Sequence, residues 1–273
     1  MEPSRIADGY LEALGLARSE PTSSLLAEIA RRHVATFAFS SLGPWLGSEL
    51  PLDPSSLYER IVRDRRGGYC FEQNGLAYAV LEELGYSVRL YLARVIHNQD
   101  VQPPLTHRIT VVDIDDDRRV VDVGFGPFGP TRPVPLSGAP TTGAGREFAV
   151  TQPRAGEFHL QSMRNGAPTS LYRFDLGRYE AADCELGHFY SHRHPAATFV
   201  NNLVASLILD DEIRSLRNHE YWIIRPSGER VVTIREAGEL RSVLEDDLGL
   251  RVNDEESRLL FAALPPLTTD IGS

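Results

Sequence analysis

Arg66-Gly67-Gly68-Tyr69-Cys70-Phe71-Glu72-Gln73-Asn74 sets the architecture of this 273-residue chain. Two glycines lead into a cysteine, and a helical pattern begins at that cysteine. Phe71, Ala77, Val80, Leu81 and Leu84 recur on one face at spacings near i, i+3, i+4 and i+7. Gly85 follows as a helix-stopping C′ residue. Cys70 is thereby expected near a helix N-terminus, where unpaired N–H groups and the helix dipole favour an anion, here the thiolate. Gly67 and Gly68 are expected to form a tight turn and to leave room for a substrate to approach.

Upstream of this stretch, helical patterns prevail. Pro21-Thr22-Ser23 offers a cap ahead of Leu25, Leu26, Ile29, Ala30 and Val34, and Leu57, Ile61 and Val62 mark another short helix. Downstream the period drops to two. Val88, Leu90, Leu92 and Val95 form a strand, and Thr106–Asp113 with Arg118–Gly124 form a hairpin about an acidic turn at Ile114–Asp117. Residues 125–145, rich in Gly, Pro and Thr, are expected to be a long loop. Phe148–Thr151, Phe158–Met163 and Ser170–Asp175 give further short strands of a small barrel or sandwich. The last part mixes a short helix at Ala196–Asn202, strands at Leu203–Leu209, Glu220–Arg225 and Arg230–Ile234, helices around Leu240–Leu248 and Leu259–Leu264, and a frayed end at Asp270–Ser273.

Bulk chemistry excludes several classes. All 28 basic residues are arginine, so lysine Schiff-base chemistry and the lysine of a P-loop are impossible. A net charge of −10 argues against nucleic acid as the main partner. Two cysteines build neither a disulfide framework nor a zinc site. An N-terminal signal peptide and a membrane span are not expected, and a reducing cytoplasm suits a reactive thiol.

A nucleophilic thiol needs a base, and the base needs an orienting acceptor. With a four-residue loop at Ile114–Asp117, Asp113 pairs with Arg118 and Ile109 faces Asp122. His107, Ile109, Val111, Val120 and Asp122 then share one face, and His107 is a diagonal neighbour of Asp122 at roughly 7–8 Å between backbones. Asp113 points to the other face. Cys184, the rival nucleophile, lies in the polar run Glu180–Glu185 without a glycine turn or a helix start. His188, His192 and His194 read as a solvated loop rather than a metal site.

Together with Ala93-Arg94-Val95, Thr106-His107-Arg108, Val121-Asp122-Val123-Gly124-Phe125-Gly126 and Thr198–Leu203, the opening stretch resembles the arylamine N-acetyltransferases over most of the chain. The resemblance implies an α+β fold in three regions: a helical bundle at 1–88 carrying the nucleophile, a β-barrel at 89–195 carrying His and Asp, and an α/β lid at 196–273. It implies a catalytic triad of Cys70, His107 and Asp122, with acetyl-coenzyme A as donor and a small amine as acceptor. Phe125, Val95 and Phe39 are expected to wall the aromatic ring, and Gly124 and Gly126 to neighbour the coenzyme. The chain departs from the family where an Arg-Ile-Gly motif is usual, here Tyr10–Gly15 with Ala13, and where Pro-Phe-Glu-Asn-Leu is usual, here Ala38–Leu42 with Ser40. A structural ion pair replaced as a unit leaves no stranded charge. An amide synthase closing a macrolactam is the alternative within the family, and a cysteine hydrolase the alternative outside it.

Overall fold

The computed structural model describes residues 6–99, 101–164 and 167–266, so Asp270–Ser273 lies outside the described residues. Helices α1 (Ile6–Ala13), α2 (Ser23–Thr36), α3 (Leu42–Trp45), α4 (Pro54–Tyr58) and α5 (Cys70–Glu83) form the first part, with a π-helical turn continuing α4 over Glu59–Arg63. Thr22 caps α2 by accepting from the Leu25 N–H at 3.2 Å. Gly85 ends α5 with φ +87, and the Tyr86 N–H closes back on the Leu81 carbonyl. Tyr10, Leu26, Ile29, Leu76, Val80 and Leu81 are buried in the core between these helices. Residues 70–77 of α5 are buried all round, so the helix is a central strut rather than a surface helix.

The middle of the chain is an antiparallel sheet of eight strands: β2 (Ser87–Val95), β3 (His107–Ile114), β4 (Asp117–Val121), β5 (Val134–Pro135), β6 (Thr141–Gly143), β7 (Arg146–Arg154), β8 (Glu157–Arg164) and β9 (Ala167–Phe174). Their order is β5-β4-β3-β2-β9-β8-β7-β6, and β5 approaches β7, so the sheet nearly closes into a barrel. Ile109, Val111, Val120, Val134, Phe148, Leu160 and Tyr172 fill its interior. In the hairpin Asp113 faces Arg118, as expected, but Ile114 and Asp117 also pair. The loop is therefore two residues, Asp115 and Asp116, both at positive φ, as a twisted two-residue turn requires. Two and four are both even, so the faces are unchanged. The stretch expected to be one long loop, 125–145, carries β5 and β6, strands too short to show alternation.

Beyond the barrel lie α6 (Ala181–Arg193) and α7 (Thr198–Asn201), then a second sheet. Its strands are β10 (Val204–Ile208), β11 (Ile213–Arg217), β12 (Glu220–Arg225) and β13 (Gly228–Thr233), joined at one edge by β1 (Phe39–Ser40). A strand from the helical part thus completes the sheet of the last part. Helix α8 (Ala237–Ser242), a π-helical turn at Val243–Asp247 and α9 (Asp254–Ala263) pack on this sheet through Leu240, Leu244, Leu248 and Leu260. Two expectations fail here. The polar run around Cys184 and the His188–His194 cluster fall on helix α6, reaching its C-cap at His194, rather than on a loop. Strand β11, unmarked by any alternation, lies between β10 and β12.

Candidate active site

Cys70 is the first residue of α5, in the turn where backbone N–H groups have no intrahelical carbonyl. Its approach is built by the protein's own chain. Gly67 has φ +66, and a Cβ there would lie 2.6 Å from the Ala38 carbonyl and 2.7 Å from Ser40 Cβ. A Cβ on Gly68 would lie 2.8 Å from Glu72 Cβ. The glycines make room for β1 and the helix, and both also border a cavity. The Ser40 N–H donates to the Gly68 carbonyl at 2.9 Å, tying β1 to this turn. Glu72, fully buried, accepts from the Tyr69 N–H at 3.0 Å and lies 2.7 Å from Arg60 Nε. Burial pushes its carboxyl pKa up against the pull of Arg60. Ser40 borders the same cavity, of about 400 Å³, as Glu72 and Arg60. Ala13 packs into the helical core.

His107 opens β3 and faces the barrel interior. Its Nε2 donates to Asp122 Oδ2 at 2.7 Å, leaving Nδ1 for Cys70, with which the ring also interacts. The Cys70 thiol can donate to the Thr106 carbonyl at 3.3 Å. Burial works to lower the His107 pKa, but the charge and hydrogen bond of Asp122, then Cys70, outweigh it and push it up to about 10. Asp122 follows the last residue of β4. Burial alone would raise its pKa, yet His107, Asn74 and the Gly124 N–H hold it below the usual carboxylate range.

Asn74 was not singled out from sequence. Its Nδ2 donates to Asp122 Oδ1 at 2.9 Å and to the Arg108 carbonyl at 2.7 Å, and its Oδ1 accepts from the Val123 N–H at 2.9 Å. One side chain therefore ties α5 to both strands of the hairpin. Its position four residues after Cys70, on the same helix face, was the available signal. Tyr172 was also missed; its ring centroid lies 4.9 Å from that of His107.

The remaining expected residues fall as follows. Phe125 sets its ring edge-on to His107, with centroids 5.4 Å apart. Phe39 is buried in one cluster with Cys70 and Tyr69, against Phe199. Val95 pairs with Tyr172 and packs with the barrel core. Gly124 lies in close packing: a Cβ there would stand 2.7 Å from Asn74 Nδ2 and 3.0 Å from Cys70 Cα. Gly126, at φ +91, faces the Phe39 ring.

Cys184 shares the apolar cluster of Cys70, and burial pushes its thiol up to about 11, which keeps it protonated. His188 is buried, contrary to the solvated reading, because it has a structural task. Its Nε2 donates to the Leu50 carbonyl at 2.7 Å, and its Nδ1 accepts from the Tyr69 hydroxyl. Burial pushes its pKa down to about 4, so it is neutral. Among the described residues no group of His, Cys, Asp and Glu could hold a metal ion. None of the described helices is long and apolar enough to cross a membrane.

A cysteine at a helix start, backed by an imidazole whose basicity a buried carboxylate raises, is equipped for nucleophilic catalysis through a covalent thioester. Comparison with known proteins narrows this to one family. A sequence profile described as N-acetyltransferase matches residues 24–257. An arylamine N-acetyltransferase of Mycobacterium tuberculosis is 33% identical over 242 residues, 86% of each chain. The arylamine N-acetyltransferase structure from Salmonella typhimurium superposes with a TM-score of 0.90 at 28% identity, covering 96% of this chain and 99% of that one. The Mycobacterium marinum enzyme in complex with CoA superposes at 0.89 with 29% identity, covering 94% and 99%. The chain belongs to the arylamine N-acetyltransferase family.

Proposed function

We propose that this protein transfers an acetyl group from acetyl-coenzyme A to the nitrogen of an arylamine or arylhydrazine, with Cys70 as the acyl carrier. His107, held by Asp122, takes the Cys70 proton and forms a thiolate–imidazolium pair. The thiolate attacks the thioester carbonyl, and the oxyanion is met by N–H groups of the first turn of α5. The tetrahedral adduct collapses, the C–S bond to the coenzyme breaks, and the departing thiolate receives a proton from His107. The amine then attacks acetyl-Cys70, His107 removes the amine proton, and Cys70 leaves as thiolate. Separating the two half-reactions gives ping-pong kinetics.

Phe125, Phe39 and Val95 supply the apolar wall for an aromatic acceptor. Gly126 is the better coenzyme neighbour of the two glycines, since Gly124 is packed against Cys70 and Asn74. Asn74 is a positioning residue, acting through Asp122. A cytoplasmic setting would keep the thiol reduced. The observation that carries this reading is the His107 ring, hydrogen-bonded to a buried carboxylate and meeting Cys70, in a chain of this family. Incubation with acetyl-CoA followed by mass spectrometry should show one added acetyl group, mapped to Cys70 and retained in Cys184→Ala. A Cys70→Ala protein that still acquires it sinks the assignment. Amine-independent CoA release at the full turnover rate would point to hydrolysis instead.

A further inference from the structure

A second cavity, of about 540 Å³, opens beside α5 and the start of α6. Tyr78, Arg89, Tyr91, Arg108, Arg178 and Tyr179 line it, and neither Cys70 nor His107 does. Arg108 follows His107 in β3 and so points to the opposite face, the one covered by α5. Its guanidinium lies 5.1 Å from the centre of the Tyr78 ring, and its Nη1 lies 3.2 Å from where a Cβ on Gly75 would stand. A glycine in the middle of α5 thus makes room for a cation.

That cation is unbalanced. Arg108 is 9% exposed, and among the described residues no carboxylate lies within ion-pair distance of it. Its Nε is buried without a hydrogen-bond partner. Burial lowers its pKa, but a guanidinium stays charged, and a buried unpaired charge is among the costliest features a fold carries. The other two arginines are engaged: Arg89 with Asp113 at 3.2 Å and Arg178 with Glu180 at 2.6 Å. Arg108 alone of the three is left without a carboxylate, Glu180 itself lines the cavity, and the Tyr179 hydroxyl donates to Asp175 at 3.1 Å.

We propose that this cavity binds a small aromatic carboxylate, with Arg108 as the anchoring cation and Tyr78 and Tyr179 beside it, at a site separate from Cys70. A monoanion matches the single free charge, a carboxylate matches the guanidinium fork, and a flat ring matches the phenolic lining. A phosphate dianion would be under-neutralised.

Calorimetric titration of the full chain with 2-naphthoate, 2-naphthalenemethanol and inorganic phosphate tests this. Naphthoate should bind with one-to-one stoichiometry, at least tenfold tighter than the neutral alcohol and tighter than phosphate. Arg108→Met should weaken it at least tenfold. Tyr179→Ala, at a partly exposed position, should weaken it about threefold and decides the matter if Arg108→Met does not fold. Bound naphthoate should leave the rate of Cys70 alkylation by iodoacetamide unchanged. No binding, equal binding of the alcohol, tighter binding of phosphate, indifference to the substitutions, or protection of Cys70 in step with occupancy would each overturn the proposal.

Discussion

Two buried imidazoles touch the first turn of α5, and their chemistry differs in sign. His33, on α2, is fully buried; its Nδ1 accepts from the Tyr10 hydroxyl at 2.7 Å and its Nε2 donates to Gln73 Oε1 at 2.8 Å. Gln73 in turn donates to the Ala38 and Gly68 carbonyls, fixing the approach to Cys70. Burial pushes His33 down to about 4, the Gln73 hydrogen bond opposing only in part. His107 is as deeply buried, yet Asp122 carries it up to about 10. Burial by itself removes charge from a histidine. Only a carboxylate that is itself held, here by Asn74 and the Gly124 N–H, reverses the outcome. His33 and Gln73 clamp α5 without charge, whereas the pair beside the thiol is charged.

The sharpest way to break this comparison is Asp122→Asn, which keeps the shape and removes the charge. Cys70 acetylation in a single turnover should slow about 10³-fold, about 4 kcal/mol of barrier. In the parent protein the rate should hold through neutral pH and fall only above about 10, where His107 loses the proton that the proposed mechanism has it give to the leaving coenzyme. A rate for Asp122→Asn within tenfold of the parent would show that the carboxylate does not set the imidazole's role.

The neutral clamp answers to pH in the opposite direction. Because the fold holds His33 neutral, the unfolded chain binds the extra proton below 6.5, and stability is lost as pH falls from 6.5 toward 4. The loss from this one group is about 3 kcal/mol. His188 adds to the same limb. His107 works the other way: its contribution is complete below 6.5 and is lost between 6.5 and about 10. His33→Met should cost about 3 kcal/mol at pH 7 by stranding Gln73 and Tyr10, and should flatten the acid limb seen in denaturant melts. An unchanged acid limb would assign that limb to other groups.

What the sequence displayed and what it hid follow from the same physics. The hairpin was legible because two runs rich in β-branched residues, Ile109–Val112 and Val120–Val123, flank an acidic turn of even length, so the faces of His107 and Asp122 could be assigned before any coordinates. The start and stop of α5 were legible from Cys70 and Gly85. Helix α6 was not, because its buried face is Cys184, Gly187, His188 and Ser191 while Leu186 and Phe189 point outward. Apolar periodicity carries no signal when the buried side is small and polar. Strand β11 buries Ile213 and Leu216, three apart, which matches no strand period. The partners of Asn74 lie 34 to 49 residues away, so its role is invisible until the chain folds.

Gly124→Ala gives a smaller effect and sharpens the contrast between packing and coenzyme contact at that residue. The added methyl would press on Asn74 and the Cys70 backbone, lowering stability by about 2 kcal/mol. If packing is the residue's task, kcat falls several-fold while KM for acetyl-CoA stays within about twofold. A rise in KM with kcat unchanged would return Gly124 to the coenzyme.

The smallest expected effect separates scaffold from site. Thr22 caps α2, the helix that carries His33, and lies far along the chain from any charged group of the triad. Thr22→Ala should cost about 1 kcal/mol, a shift in melting temperature of about 2–4 °C for a chain of this size. The loss falls on helix initiation, whereas His33 sits in the last turn of α2, held by Tyr10, Gln73 and its packing on Phe37. Cys70 acetylation at 25 °C should therefore stay within about twofold of the parent. A fall in rate of tenfold or more, with the protein still folded, would mean that the His33 clamp transmits strain to the thiol, and that the neutral clamp and the charged pair do not act independently.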